Sequence, residues 1–394
     1  MARTRTELAK LDLNARMNGS LKVALISTGL GRELRGVETW LADLVQQLPD
    51  SLSVRIWSGG KFVSPRSDRA GQRIWGISRS HPWIQSRSWN QRYSWEQHTA
   101  IPAVLMRLML QRPDVAYLAD PALAWNLKRF RAWHRTPIIY LNGMRLSPRW
   151  CAGFDGVHVL APAYLDEAAA MMPGQSLDQF FSIPHFTDVD KFCPPSAEAR
   201  RRARVAFGIP EDAFVVLAIG PVGTASGKRL DHVAAELAMA SSRAVLVSAG
   251  TDEEGSGPVR QRVLAALGAR AMLLGRVPRE RMHELHRTAD VFALGTLGEP
   301  FSIAIAEALA TGVPVVHHDD PVTNWVASKG GVPVAMDRPG AAASALRRLE
   351  LELGWRLQLG AAGREMAAER YAPRRVCTEL EREFRRIAEK GRGK

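Results

Sequence analysis

Lys22-Val-Ala-Leu-Ile-Ser-Thr-Gly29 is an apolar run that stops at a glycine, and Phe214-Val-Val-Leu-Ala-Ile-Gly220 repeats the design in the second half of the chain. Short apolar runs bounded by turn residues read as strands buried on both faces of a parallel sheet. After the first run come Gly29, Gly31, Arg32, Arg35 and Gly36, and then Val37, Trp40, Leu41, Leu44 and Leu48 at helical spacing. After the second come a loop of small residues and a helix from about Arg229. Strand, glycine loop and helix open a doubly wound α/β domain, and two such openings predict two domains.

Working outward, further strands are predicted at 53–57, 115–118, 138–141 and 156–160, with Pro113 and Pro137 just before two of them, and then at 243–249, 271–274, 291–294 and 313–317. The seam is expected within 183–210, which is rich in proline and charge. The resulting division is a polar extension at 1–21, one Rossmann-like domain at 22–190, a second at 191–373, and a charged helix with a basic tail at 374–394. In that last segment Cys377, Leu380, Phe384 and Ile387 form only a thin apolar stripe, which predicts a peripheral helix.

The composition, 46% hydrophobic and 24% charged over 394 residues, is that of a folded globular chain large enough for two cores. Cys151, Cys193 and Cys377 lie far apart without metal-ligand spacing, as expected of a reducing compartment. Residues 1–21 contain no apolar stretch suited to a signal peptide. The longest apolar run, Phe301 to Val316, is interrupted by Glu307, Gly312 and Pro314, so a cytoplasmic protein is expected. The net charge of +13 draws phosphorylated substrates and anionic surfaces. No zinc-finger spacing, RRM signature or basic region with heptads supports nucleic acid as a partner.

The glycines of the first loop do not make a dinucleotide site. Gly29, Gly31 and Gly36 place the third glycine two positions late, and Trp57-Ser58 lacks the acidic residue that holds a ribose. Neither half carries a Walker A sequence. His317-His-Asp-Asp320 directly follows a strand, where neighbouring side chains point to opposite faces, so no metal is expected there. His134, His158, His283 and His286 show no partner pattern and read as structural, and the run Arg200–Arg204 reads as a solvated helix face.

Gly298-Glu-Pro-Phe-Ser-Ile-Ala-Ile-Ala-Glu-Ala-Leu-Ala-Thr-Gly-Val-Pro-Val-Val316 carries the chemistry. Glu299 lies in a loop past a strand, and Glu307 lies in a helix among Ile303, Ala304, Ala306 and Ala310. A carboxylate on such a face either turns to solvent or is held by something that binds it. Paired sugar hydroxyls suit it, because one carboxylate accepts several hydrogen bonds.

This stretch resembles the E-x7-E motif of retaining family 4 glycosyltransferases, whose fold is GT-B: two Rossmann-like domains with a cleft between them. Thr311-Gly-Val-Pro-Val-Val316 continues the resemblance. So do Ile183-Pro-His-Phe-Thr-Asp-Val-Asp-Lys-Phe192, Leu274-Gly-Arg-Val277, Ala289-Asp-Val-Phe292 and Gly36-Val-Glu38. The resemblance implies a nucleotide-diphosphate sugar as co-substrate, no metal or other cofactor, and a donor site in the second domain. It places Glu299 beside the donor hexose and Glu307 on the nucleotide ribose, with Pro300, Phe301, Ser302 and Ile303 between them. Lys228 is assigned to the diphosphate, with Arg229 as a second cation, because Pro221 stands where the family usually has arginine. Gly36 is assigned to the phosphates from the first domain. Asn142, where a histidine is common, is placed at the reacting centre; an amide donates a hydrogen bond but is no general base. The retaining mechanism so implied lets the leaving phosphate take the acceptor proton. Ser302 replaces a common glycine, and Arg35 replaces the first glycine of a pair. A glycosyltransferase-like binding partner without transfer activity is the alternative reading.

Nine of the eleven tryptophans precede residue 151, and Arg73, Arg79, Arg87 and Arg92 interleave with Trp75, Trp83, Trp89 and Trp95. Tryptophan stacks on sugars and lies at membrane interfaces, and arginine grips phosphate. A glycan or lipid-linked acceptor and an anionic membrane surface are therefore the expected partners, in keeping with cell-surface polysaccharide synthesis. Tryptophans folded back onto the domain are the alternative.

Overall fold

The computed structural model of the protein describes residues 20–33, 36–64, 66–69, 71–224 and 227–392. Residues 1–19, Leu34, Arg35, Pro65, Ala70, Ala225, Ser226, Gly393 and Lys394 thus lie outside the described residues, together with the readings placed on them. The chain divides into two units, residues 1–183 with 377–394 and residues 184–376.

The first unit holds a sheet of β1 (Leu21–Ser27), β2 (Leu52–Ser58), β3 (Gly71–Arg73), β4 (Val115–Leu118), β5 (Ile138–Leu141), β6 (Gly156–Val159) and β7 (Phe180–Ser182). The strands lie in the order β3-β2-β1-β4-β5-β6-β7, all parallel. Register runs from Val23 to Val54 on one side of β1 and from Val23 to Val115 on the other. β1, β4 and β5 are almost wholly buried, as helices over both faces require.

The second unit holds β8 (Val215–Ile219), β9 (Val245–Ala249), β10 (Ala271–Leu273), β11 (Val291–Ala293), β12 (Val315–His318) and β13 (Gly331–Val334). Their order is β10-β9-β8-β11-β12-β13, again parallel. β3, β7 and β13 were not predicted. All three are short and stand at the edge of a sheet, where apolar patterning is weakest; Gly331-Val-Pro-Val334 even accommodates Pro333 there.

Two expectations need correction. The helix Pro373–Arg392 does not stand apart: from Cys377 onward it belongs to the first unit. Leu380, Phe384 and Ile387 are at most 1% exposed, and the Phe384 ring lies 5.4 Å from Tyr117. Gly156 makes the close approach workable, since a Cβ there would meet Ile387 Cδ1 at 2.4 Å. A thin stripe suffices when the groove receiving it is deep. Likewise Arg200–Arg204 is a solvated face only in part: Arg201 and Arg202 are exposed, but Arg204 is buried and donates to the carbonyls of Thr288 and Ala213 and to Asp290 Oδ2 at 2.8 Å, while the half-buried Arg200 meets Asp290 Oδ1 at 2.6 Å.

Candidate functional site

In an open parallel sheet, ligands bind past the carboxyl ends of the strands where the order reverses, because the two loops there diverge to opposite faces and leave a crevice. In the second unit that point lies between β8 and β11. The loop after β8 begins at Gly220, with φ 151°, and a Cβ there would press on the Lys228 stem at 3.0 Å. The loop after β11 contains Gly295, where a Cβ would meet the carbonyls of Lys228 and Arg229 at 2.9 Å. Two glycines thus let the loops cross closely, and the crossing brings Lys228 Nζ to 2.7 Å from Glu299 Oε2. The pair is mostly shielded from solvent, its side chains 23% and 9% exposed. Arg229, at φ 50°, sends Nη1 to the carbonyls of Met336 (2.8 Å) and Gly295 (3.3 Å), which ties down the loop carrying Lys228.

Glu299 leads into the helix Ile303–Ala310 through Pro300, Phe301 and Ser302. Phe301 is buried against His185 and Tyr371, anchoring the turn. Ser302 caps the helix, its hydroxyl accepting from the Ile305 N–H at 3.4 Å, from a backbone at φ 68° that glycine adopts more readily. Ile303 and Pro300 are half-buried.

Glu307 does not face solvent; it is 2% exposed. Arg279 Nη1 donates to Oε1, and His286 Nε2 lies 3.2 Å from Oε2. Burial pushes this carboxyl up, yet Arg279 and His286 outweigh it and hold Glu307 below the ordinary carboxylate value. The Phe192 ring lies 5.5 Å from the Arg279 guanidinium and 5.5 Å from the His286 ring, packing the assembly from one side. Arg279 escaped the sequence reading, and His286 was read as structural with no partner, because they stand 28 and 21 positions before Glu307, a spacing without a motif. Thr296, whose buried hydroxyl lacks a hydrogen-bond partner, lies on the same loop as Glu299 and was also missed. A cavity of about 520 Å³ opens beside the Lys228 loop, lined by Gly223, Thr224, Arg229, His232 and Arg262, but not by Lys228, Glu299 or Glu307.

In the first unit the order reverses between β1 and β4. Asp120, just past β4, accepts from the Thr28 N–H at 2.7 Å and the Tyr93 hydroxyl at 3.0 Å. Burial raises its pKa, and the sequence reading passed over it. Gly36 begins the helix Gly36–Gln47 with open space around its Cα. Asn142 follows β5, but its amide closes a turn: Nδ2 donates to Leu146 O at 2.9 Å and Oδ1 accepts from Leu146 N at 2.8 Å. Arg79, read as a candidate phosphate grip, is instead buried on Glu96.

Comparison with known proteins agrees with this fold. The chain is 32% identical over 157 residues to a D-inositol 3-phosphate glycosyltransferase of Xylanimonas cellulosilytica, a match spanning 36% of this chain and 36% of that relative. Sucrose-phosphate synthase of Thermosynechococcus elongatus superposes with a TM-score of 0.77 at 17% identity, covering 93% of this chain and 99% of that one. Anabaena HepE, solved with UDP and glucose, gives a TM-score of 0.73 at 14% identity over 92% and 98% of the two chains. These likenesses establish the fold, the paired Rossmann-like sheets of GT-B proteins. Residues 213–351, which hold Lys228, Glu299 and Glu307, match the family Glycosyl transferases group 1.

Proposed function

We propose that this protein is a retaining glycosyltransferase of family 4 that takes a sugar from a nucleoside-diphosphate donor bound by the second unit. One observation carries the reading: the loops after β8 and β11 deliver a cation and a carboxylate, Lys228 and Glu299, to the switch point, 2.7 Å apart. Lys228 meets the diphosphate and stabilises the charge that develops on it as the glycosidic bond breaks. Glu299 holds the hexose hydroxyls. Glu307, kept ionised by Arg279 and His286, accepts from the ribose. The amides opening the helix Ile303–Ala310 favour the phosphates. Arg229 positions the Lys228 loop. Asn142 shapes the turn after β5 on the acceptor side, and the leaving phosphate takes the acceptor proton, so neither a base nor a metal is required. The acceptor is a glycan, a lipid-linked sugar or a small molecule, in keeping with cell-surface polysaccharide synthesis in the cytoplasm.

The test is thermal stabilisation by UDP, GDP, ADP and dTDP sugars, with uridine first because HepE was solved with UDP. One base should raise the midpoint. Lys228→Ala and Glu307→Ala should each raise the donor's Kd by about ten- to a hundredfold, the loss of one charge-assisted hydrogen bond, and so shrink the midpoint shift at a given donor concentration. Retention is read from the anomeric configuration of the product by NMR; an inverted product removes that part of the proposal. A chain that responds to no donor is a glycosyltransferase-like partner, not an enzyme.

A further inference from the structure

The first unit carries a surface that the donor chemistry leaves unused. Residues 71–112, all described, run along the edge strand β3 and the segment after it and return as the helix Trp89–Gln111. Hydrogen bonds hold the two limbs together. Arg107 Nη2 donates to Arg73 O at 2.8 Å, the Ile77 N–H to Thr99 Oγ1 at 2.9 Å, Arg79 Nη2 to Glu96 Oε1 at 2.8 Å, and Arg92 Nη1 to Gln85 Oε1 at 3.1 Å. The contacts advance along one limb as they retreat along the other, so the segment forms one layer.

The inner face of its helix is built from Glu96, Ala100, Val104 and Leu108, all buried. The outer stripe is Trp95, His98, Pro102, Met106 and Met109, spaced by three or four residues and all exposed. A surface helix of a monomeric globular unit places polar residues on that stripe. Beside it Trp83 is 81%, Leu110 75% and Trp75 70% exposed. Charge is equally one-sided. The segment contains Arg73, Arg79, Arg87, Arg92, Arg107 and Arg112 against a single carboxylate, Glu96, which is 0% exposed and paired with Arg79. Every formal charge that the layer exposes is therefore positive.

We infer that this layer docks on an anionic lipid bilayer. Tryptophan rings settle at headgroup level, methionine and leucine side chains enter the acyl boundary, and guanidinium groups meet lipid phosphates. The Arg87 guanidinium lies 5.2 Å from the Trp95 ring, so cation and aromatic sit side by side, as a headgroup boundary requires. Nucleic acid matches the arginines but leaves Met106, Met109 and Leu110 uncovered. A second copy meets the same arginines across a two-fold axis, like charge against like.

The test uses the full chain without donor, so its outcome is independent of transfer activity. Sedimentation with phosphatidylcholine vesicles is compared with vesicles that also contain phosphatidylglycerol. Binding to the anionic vesicles alone is expected, falling as salt rises. The double variant Trp83→Ser/Trp95→Ser should lose most of it, with a matching loss of the tryptophan blue shift. Arg87→Gln and Arg112→Gln, which leave the apolar stripe intact, should each weaken it by about fivefold. No vesicle binding by the native chain, or binding unchanged in both sets of variants, overturns the proposal. So does a dimer in equilibrium sedimentation that the tryptophan variant abolishes, or retention on RNA with the same salt dependence and no vesicle binding.

Discussion

Ser302 and Glu307 show how single residues set the geometry of the donor half. Ser302 combines a positive φ with a capping hydroxyl, two properties that pull its identity in opposite directions. Ser302→Ala keeps the backbone cost and loses the cap, for a destabilisation of about 1 kcal/mol. Ser302→Gly loses a few tenths for the cap and relieves a backbone cost of about 1–2 kcal/mol. In urea unfolding the midpoints should therefore rank Gly at or above Ser, and Ser above Ala; Ala equal to Gly would remove strain from the account. Glu307 titrates with a definite sign. Its folded pKa is held below the ordinary value, so its contribution is complete above about pH 4.3 and disappears as the pH falls through the folded pKa. The stability gap between the native chain and Glu307→Gln should narrow on acidification through that window, and parallel stability curves would contradict the Arg279–Glu307–His286 arrangement.

Among elements, β4, β6 and the helix Gly36–Gln47 are linked by a buried polar chain. Trp40 Nε1 donates to the Tyr117 hydroxyl at 3.4 Å, Tyr117 meets His158 Nδ1 at 2.8 Å, and His158 Nε2 meets Ile183 O at 2.6 Å. The Ile183 carbonyl only accepts, so His158 carries a proton on Nε2, and in the neutral ring Nδ1 accepts from the Tyr117 hydroxyl. Burial pushes its pKa down to about 4, the bond to Ile183 opposing only part of the shift. The unfolded chain therefore binds a proton below about pH 6.5 that the folded chain refuses. Stability contributed by neutral His158 should fall by about 3 kcal/mol between pH 6.5 and 4, a loss that His158→Gln should not show. Chemical denaturation across that range checks it, and equal slopes in both proteins would exclude His158 as the source.

At the scale of the whole molecule, the chain returns to its beginning. The first unit is closed by the last helix, whose Leu380, Phe384 and Ile387 are buried. Each such side chain contributes about 1.5–3 kcal/mol, so three of them reach the stability of a marginal domain. A chain ending at Ala372 should lose the cooperative unfolding transition of the first unit and retain that of the second, as two-transition calorimetry would resolve. Two intact transitions would show that the helix is dispensable.

The local pattern alone carried much of this protein. Apolar runs such as Val115–Leu118 and Ile138–Leu141 named their strands to the residue, because a strand covered on both faces admits little else. The resemblance of the stretch holding Glu299 and Glu307 to the E-x7-E motif singled out this helix before any coordinates, whereas its periodicity alone left Glu307 equally free to face solvent. What the tertiary structure decided was the identity of partners distant along the chain. It paired Lys228 with Glu299 across 71 positions and Arg279 and His286 with Glu307. It also spent Asn142 on its own turn and Arg229 on two carbonyls, buried Arg79 and Arg204, and drew the last helix into the first unit. Burial and hydrogen bonding of a side chain depend on which loops cross, and crossing is fixed by the order of strands in the sheet, which no short window of sequence contains.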